Sequence, residues 1–231
     1  MTAAIKSASP LVILMAILRR DIALAWRQGG AGALTLGFFV MALSLFPFGL
    51  GSDTALLART GAALVWVTAL FSALLSLDRL FQLDYDDGTL AQIMVSPLSL
   101  LLVVFAKAAA HWVAALLPLI LITPLTAAMF ALPEVNGWAL FQSLLIGTPA
   151  FSLIGAFAAG LTVAVKRGGA LITLIVLPLF VPTLIFGVGM VEAVRVSLIN
   201  SPAALYLAVT TLVALFISPI LTVFALKAAM E

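Results

Sequence analysis

The chain has no cysteine and a single histidine, His111, among its 231 residues. Without thiols it can form no disulfide, thiolate metal site, thioether haem attachment or cysteine nucleophile. One imidazole cannot build a His-rich metal centre. Charge is also scarce: only 9% of residues are charged, against roughly 25% in an average soluble domain. A Walker-type phosphate loop is missing, so no P-loop holds ATP on this chain. What is present is apolar: 65% hydrophobic residues and a mean hydropathy of +1.30. A soluble globule needs a polar exterior that this composition cannot supply. The fold class is therefore an all-α integral membrane protein, and soluble enzymes are excluded. The net charge of +2 and pI near 9.3 are read as membrane-topology markers, not as a nucleic-acid signature.

At the N-terminus, the apolar run Leu11 to Leu18 follows only Lys6 and leads into Arg19-Arg20-Asp21. No small-residue cleavage site follows, so a signal peptide is not expected. Ser9 and Pro10 suit an N-cap and first helical position, and Gly29-Gly30 suit a stop. Residues 10–28 are expected to form an amphipathic helix on the membrane surface, with Arg20 and Arg27 on one face and Trp26 at the interface. Crossing a hydrocarbon core of roughly 30 Å takes about 20 apolar residues. Six charge-free segments qualify: 31–50, 60–77, 112–132, 138–164, 170–190 and 203–226. The run from Leu98 to Leu132 would reach about 52 Å as one helix, too long for one crossing. Lys107 and His111, one turn apart, are expected to mark its point of entry, leaving Leu98 to Phe105 near the interface.

Charge bias sets the orientation. With the N-terminus inside, Lys6, Arg19, Arg20, Arg27, Arg79, Lys107, Lys166, Arg167 and Lys227 are cytoplasmic. Only Arg59 and Arg195 lie outside. Positive-inside bias then places both termini in the cytoplasm. The whole chain is one membrane domain, and residues 78–107 form its only sizeable cytoplasmic segment.

The spans offer little chemistry. Proton- or ion-coupled carriers need ionisable groups within the membrane, and these segments have none. Prolines 118, 124, 149, 178, 182 and 219 read as ordinary helix kinks. Ser152, Ala156 and Gly160 recur every fourth residue, a small-residue stripe that lets another helix approach closely. Packing within the chain is the preferred partner for that stripe, and a homodimer interface is the other. An intramembrane protease would need a serine–histidine or paired-aspartate arrangement that is not found. His111, beside Trp112 and on the face of Lys107, is read as an interfacial polar anchor in preference to a haem ligand.

The segment 78–107 carries the most information. Asp84, Asp86 and Asp87 resemble part of a calcium loop, but Thr89 and Val95 stand where its glycine and bidentate glutamate belong. Asp87-Gly88 reads instead as a turn, and Thr89 to Gln92 as a capping box. A short helix, Leu90 to Val95, should stop at Ser96-Pro97, where the next helix begins. Compact structure with acidic flanks in the cytoplasm suits docking to a soluble protein. The candidate docking residues are Asp78, Arg79, Asp84, Asp86, Asp87, Gly88, Gln92 and Pro97; Lys107, His111 and Trp112 are candidate interfacial or functional residues.

Several stretches, in order and spacing, carry a resemblance. They are Leu77-Asp78-Arg79-Leu80-Phe81, Asp87-Gly88, Pro97, Ala106-Lys107 and His111-Trp112, followed by Gly147-Thr148-Pro149, Gly160-Leu161-Thr162-Val163, Lys166-Arg167-Gly168-Gly169 and Leu177-Pro178. From about Arg19 to the C-terminus the chain resembles the haem exporter B family, the permease subunit of the bacterial cytochrome c maturation ABC complex. The resemblance implies six spans of the ABC-2 exporter type in the bacterial inner membrane. It also implies a cytoplasmic ABC ATPase docked under 78–107, which binds the ATP, and release of a haem-loaded periplasmic chaperone. A haem-handling membrane subunit and a small single-span subunit complete the implied complex. Haem would be handled by those partners, and no cofactor, metal or catalytic residue is expected on this chain. The alternative is an ABC-2 permease exporting a lipid, polysaccharide or drug, which shares the architecture.

The orientation gives the first prediction. Reporter fusions after Gly51, Pro133 and Arg195 should report the outer side. Fusions after Asp86, Arg167 and Glu231 should report the cytoplasm. An outer C-terminus would overturn the topology.

Overall fold

A computed structural model describes residues 10–27, 30–51, 53–165, 169–198 and 201–230. The expected cap at Ser9, the stop at Gly29, the topology markers Lys6, Lys166 and Arg167, and Gly168 lie outside these residues. The described chain is helical throughout. Its elements are α1 (Pro10–Trp26), α2 (Ala31–Leu50), α3 (Thr54–Leu77), α4 (Arg79–Asp86), α5 (Thr89–Val95) and α6 (Leu100–His111). After a π-helical turn (Trp112–Leu116) come α7 (Leu117–Leu121), α8 (Thr123–Met129), α9 (Glu134–Thr162), α10 (Gly169–Arg195) and α11 (Ala203–Met230).

Six helical stretches are long and apolar enough to cross a membrane, as expected. Their bounds differ from the hydropathy segments. The second runs 33 residues, Thr54–Asp86, because α4 continues α3 almost without interruption past Asp78. At about 1.5 Å per residue it exceeds the hydrocarbon thickness, so its end projects beyond the membrane. The third runs 30 residues, Leu100–Met129, and does not begin at Trp112. The first span keeps its expected bounds, and each of the others stops short of the observed helix at one end or both. The observed helices take in Arg59, Asp84, Lys107, Glu134, Glu192, Arg195 and Lys227. A hydropathy window ends at the first charge, whereas a helix continues while its backbone bonds do.

Asp53 starts α3 as a true cap, its carboxylate accepting from the N–H groups of Ala55 (2.9 Å) and Leu56 (3.1 Å). The expected capping box at Thr89 is not formed. Thr89 is already helical, Gly88 is the N-cap in the left-handed region (φ 77°), and Asp87 Oδ1 accepts from Thr89 N–H at 2.8 Å. A side chain at position 88 would be strained there. The helix after Pro97 begins at Leu100, behind Ser99, and not at Ser96-Pro97.

Helix α9 is the centre of the bundle, packed along α10 and α11 and against α3. Its Ser152, Ala156 and Gly160 are buried, and Gly160 faces Thr222, Ala225 and Leu226 of α11. The small-residue stripe is therefore used within the chain. Between α3, α9 and α10 sits Trp66, fully buried, edge-on to Phe151, which stacks on Phe180 at 4.3 Å. Its indole N–H donates to Ser143 Oγ at 3.1 Å. Two glycines make the slot: a Cβ on Gly147 would lie 2.6 Å from the ring, and one on Gly187 only 2.2 Å. Lipid gives no hydrophobic drive to helix association, so such close packing carries the bundle.

Gly187→Ala should accordingly lower unfolding stability in detergent by about 1–3 kcal/mol, the usual cost of overpacking. Adding Trp66→Leu should recover part of the loss. Equal thermal stability of Gly187→Ala and the unaltered chain would contradict the slot.

Candidate functional site

In a chain this poor in charge, the structure gathers four charged side chains at one end of the bundle. Asp84, on α4, and Lys107, on α6, are 5% and 3% exposed. Arg20 and Asp21 come from α1. Arg20 Nη2 donates to Asp84 Oδ1 at 2.7 Å, and its Nε to Asp21 Oδ1 at 2.8 Å. Lys107 Nζ donates to Asp21 Oδ2 at 2.8 Å and lies 2.6 Å from Asp84 Oδ2. That last contact is off the line of a well-formed hydrogen bond, and Asp84 Oδ2 has no other donor, so the attraction there is ionic. Each cation touches both carboxylates, and the ring is neutral overall. Lys107 also sits 5.6 Å from the centre of the buried Phe81 ring. Burial works against the Arg20 charge, but Asp21 and Asp84 outweigh it and leave its pKa above the ordinary value.

One turn along α6, His111 is buried between two serines. Its Nε2 lies 2.8 Å from Ser76 Oγ and its Nδ1 2.8 Å from Ser152 Oγ. Ser76 already donates to Ala73 O at 3.0 Å. The network is satisfied when Nε2–H donates to Ser76 and Nδ1 accepts from Ser152. Both ring nitrogens are engaged, and neither is free to bind iron. Trp112 N–H donates to Thr148 Oγ1 at 2.9 Å. These findings correct the expectation that Lys107, His111 and Trp112 are interfacial anchors. Lys107 and His111 are buried in protein, tying α6 to α1, α3, α4 and α9, and Trp112 is partly buried and bonded to α9.

Between ring and histidine lies a pocket of about 110 Å³, lined in part by Arg20, Asp21, Ser76, Asp84, Lys107 and His111. Small-molecule sites usually run to roughly 300–1,000 Å³, so the space suits a few waters and not a porphyrin. A larger groove of about 330 Å³ between α9, α10 and α11 is lined by Phe157, Leu179, Thr183, Ser218 and other side chains that include no iron ligand.

The candidate docking residues divide. Asp78, Arg79, Asp86, Asp87, Gln92 and Pro97 are exposed, and Gly88 is half-buried. Asp86 accepts from Gln82 Nε2 at 2.9 Å. Hydrogen bonds from Thr89 hold the Asp87 pKa below the ordinary carboxylate value. Asp84 is the exception, because it points inward to Arg20 and Lys107 and is not available to a partner. Ser76 is not singled out by the sequence pattern, Asp21 enters only as the end of an apolar run, and Arg20 and Ser152 read only as a surface charge and a small packing residue. The signal was there: in a charge-poor membrane chain, opposite charges near the spans usually find each other.

A multi-pass membrane protein whose interior charges are all paired is the class this fold and site define. Residues 12–231 match the family model described as CcmB protein. The chain is 48% identical over 177 residues to Heme exporter protein B of Rhodobacter capsulatus, covering 77% of this chain and 81% of that one. It is 44% identical over 212 residues to Heme exporter protein B of Paracoccus denitrificans (92% and 97% covered). The Bradyrhizobium diazoefficiens protein of that name is 42% identical over 222 residues (96% and 100% covered). The chain belongs to the haem exporter protein B family.

The ring makes a direct prediction. Asp84→Ala leaves Lys107 buried with half its anionic partners and should cost about 3–5 kcal/mol of stability. Asp86→Ala, at the surface, should stay within about 0.5 kcal/mol of the unaltered chain. Chemical unfolding in micelles measures both. Indistinguishable midpoints would remove the ring from the stabilising interactions.

Proposed function

We propose that this chain is the membrane permease subunit of an ABC transporter-like complex for cytochrome c maturation. In this reading it lies in the bacterial inner membrane with both termini cytoplasmic. It couples ATP hydrolysis on a separate subunit to haem handling and to release of a haem-loaded periplasmic chaperone. The observation that carries the reading is family membership from residue 12 to 231, which spans all six apolar helical stretches. The names of the relatives favour haem over the lipid, polysaccharide or drug cargo of other ABC-2 permeases.

The α4–α5 hairpin is the proposed ATPase-docking element. It presents exposed Asp86, Asp87, Gln92 and Pro97, and Val95 is 88% exposed. Leu90 and Ile93 anchor α5 from below. Haem is not a resident group of this chain. The engaged nitrogens of His111 and the small inner pocket do not fit iron or porphyrin, so haem contact is assigned to a haem-handling membrane subunit. A small single-span subunit and the periplasmic chaperone complete the proposed complex. The packing of Ser152, Ala156 and Gly160 inside the chain leaves any homodimer contact to other surfaces.

Mass spectrometry of the complex purified in mild detergent tests the reading. An ABC ATPase and haem-maturation proteins should co-purify, and lipid- or polysaccharide-export proteins in their place would overturn it. Asp86→Lys with Asp87→Lys should weaken ATPase retention, replacing attraction to basic groups with repulsion. One exposed pair is worth only about 0–1 kcal/mol, so both substitutions are needed. The isolated chain should show no Soret band, and His111→Ala should leave the haem content of the complex unchanged.

A further inference from the structure

We infer that Arg20, Asp21, Asp84 and Lys107 are positioning residues for energy coupling: the ring they form carries movement of the α4–α5 hairpin to α1 and to the third membrane helix. This rests on the proposed docking of an ATPase beneath that hairpin.

The ring joins three elements far apart in sequence, with 64 residues between Arg20 and Asp84 and 86 between Asp21 and Lys107. Because each cation holds both carboxylates, no element can leave without breaking two contacts. Phe81 and Asp84 are the buried residues of α4, which runs on from α3 and packs against α9 as well as α6, so the ring is the attachment that ties it to α1. The α5 helix follows α4 through the Asp87-Gly88 turn and is itself seated by Leu90 and Ile93, so α4 and α5 move as a packed pair whose link to α1 is the ring. Stability alone does not account for such an arrangement. Apolar residues of similar volume usually serve a buried site as well or better, and the best-attested use of buried ions is to fix register or build a switch. Separating Lys107 from Asp84, 3% and 5% exposed, breaks the ring at its most buried contact, where an unpaired charge is costly. The pocket beside it leaves room for the side chains to part. Small displacements at a docked surface become discrete shifts of packed helices where contacts are bistable.

The cysteine-free chain allows clean spin labelling. Cysteines introduced at the exposed positions Arg19 on α1 and Val95 on α5 report the α1–α5 distance in nanodiscs. Asp84→Asn with Lys107→Gln opens the ring while leaving Arg20 and Asp21 paired, so no buried charge is stranded. The unaltered chain should give one narrow distance distribution and the double variant a broad or displaced one. In cells, the variant should keep the ATPase bound yet lower holocytochrome c yield about fivefold or more, the lower range of coupling between sites. Arg20→Gln, at the exposed rim, loosens only the α1 link and serves if the double variant fails to accumulate. An unchanged narrow distribution, or normal yield with a broadened one, would overturn the inference. Failure of the ATPase to co-purify with the unaltered chain would sink the docking reading instead, and the distance measurement would still decide the ring.

Discussion

Taking a charge out of water is affordable only with an opposite charge at contact distance, and this constraint organises one end of the bundle. The effective cost of burying one carboxylate or ammonium is still on the order of several kcal/mol after the protein relaxes. Lys107 and Asp84 cannot be buried singly, so α6 can adopt its position only if α4 comes with it. Asp21 and Arg20 then complete the neutralisation and bring α1 against α6. The helix that precedes the first span is thus docked by electrostatics, even though its apolar residues Leu11, Val12 and Met15 face outward.

Deeper in the bundle the rules change. There are no charges to pair, and apolar side chains gain nothing by leaving lipid for protein. Shape takes over. Trp66 is gripped by the glycine gaps of α9 and α10, and Leu77 is accommodated because Gly155 has no side chain. The polar groups that remain are short and mostly local: Thr68 and Ser72 bond the preceding turn of their own helix, while Trp66, His111, Trp112, Asn136 and Thr211 reach across to another. One end held by ions is joined to a body held by steric fit.

Much of this was legible in the sequence. Six spans follow from apolar runs separated by charges, and the α5 helix follows from the turn before it and the proline after it. The close helix approach at Ser152, Ala156 and Gly160 follows from their spacing, but only the packing against α11 shows that the partner lies within the chain. The inward turn of Asp84 was not legible, because Asp84, Asp86 and Asp87 look alike as letters. Only the helical continuation of α3 through Asp78 decides which of them faces α6, and that continuation depends on tertiary packing. The roles of Lys107 and His111 were missed for a related reason. Hydropathy ends a span at a lysine, whereas three-dimensional pairing lets the helix run on through it. At Thr89 the local capping pattern lost to a left-handed glycine one residue earlier.

The π turn at Trp112–Leu116 lets one helix keep a single interior face over a long distance. Leu117 N–H reaches back five residues to Trp112 O, and Pro118 has no N–H to offer Ala114 O, against which Gly32 of α2 packs closely. The buried positions His111, Ala115, Leu119 and Thr123 advance by fours. In a regular helix each residue turns about 100°, so three such steps would carry Thr123 about 120° away from His111. The extra residue in the wide turn absorbs nearly all of that drift. The third membrane helix is therefore phased like two helices set end to end. Deleting one residue between 112 and 116 would straighten the local hydrogen bonding yet swing one half about the axis relative to the other. Lys107 and His111 could then keep their partners only if Thr123, Thr126 and Phe130 faced away from theirs.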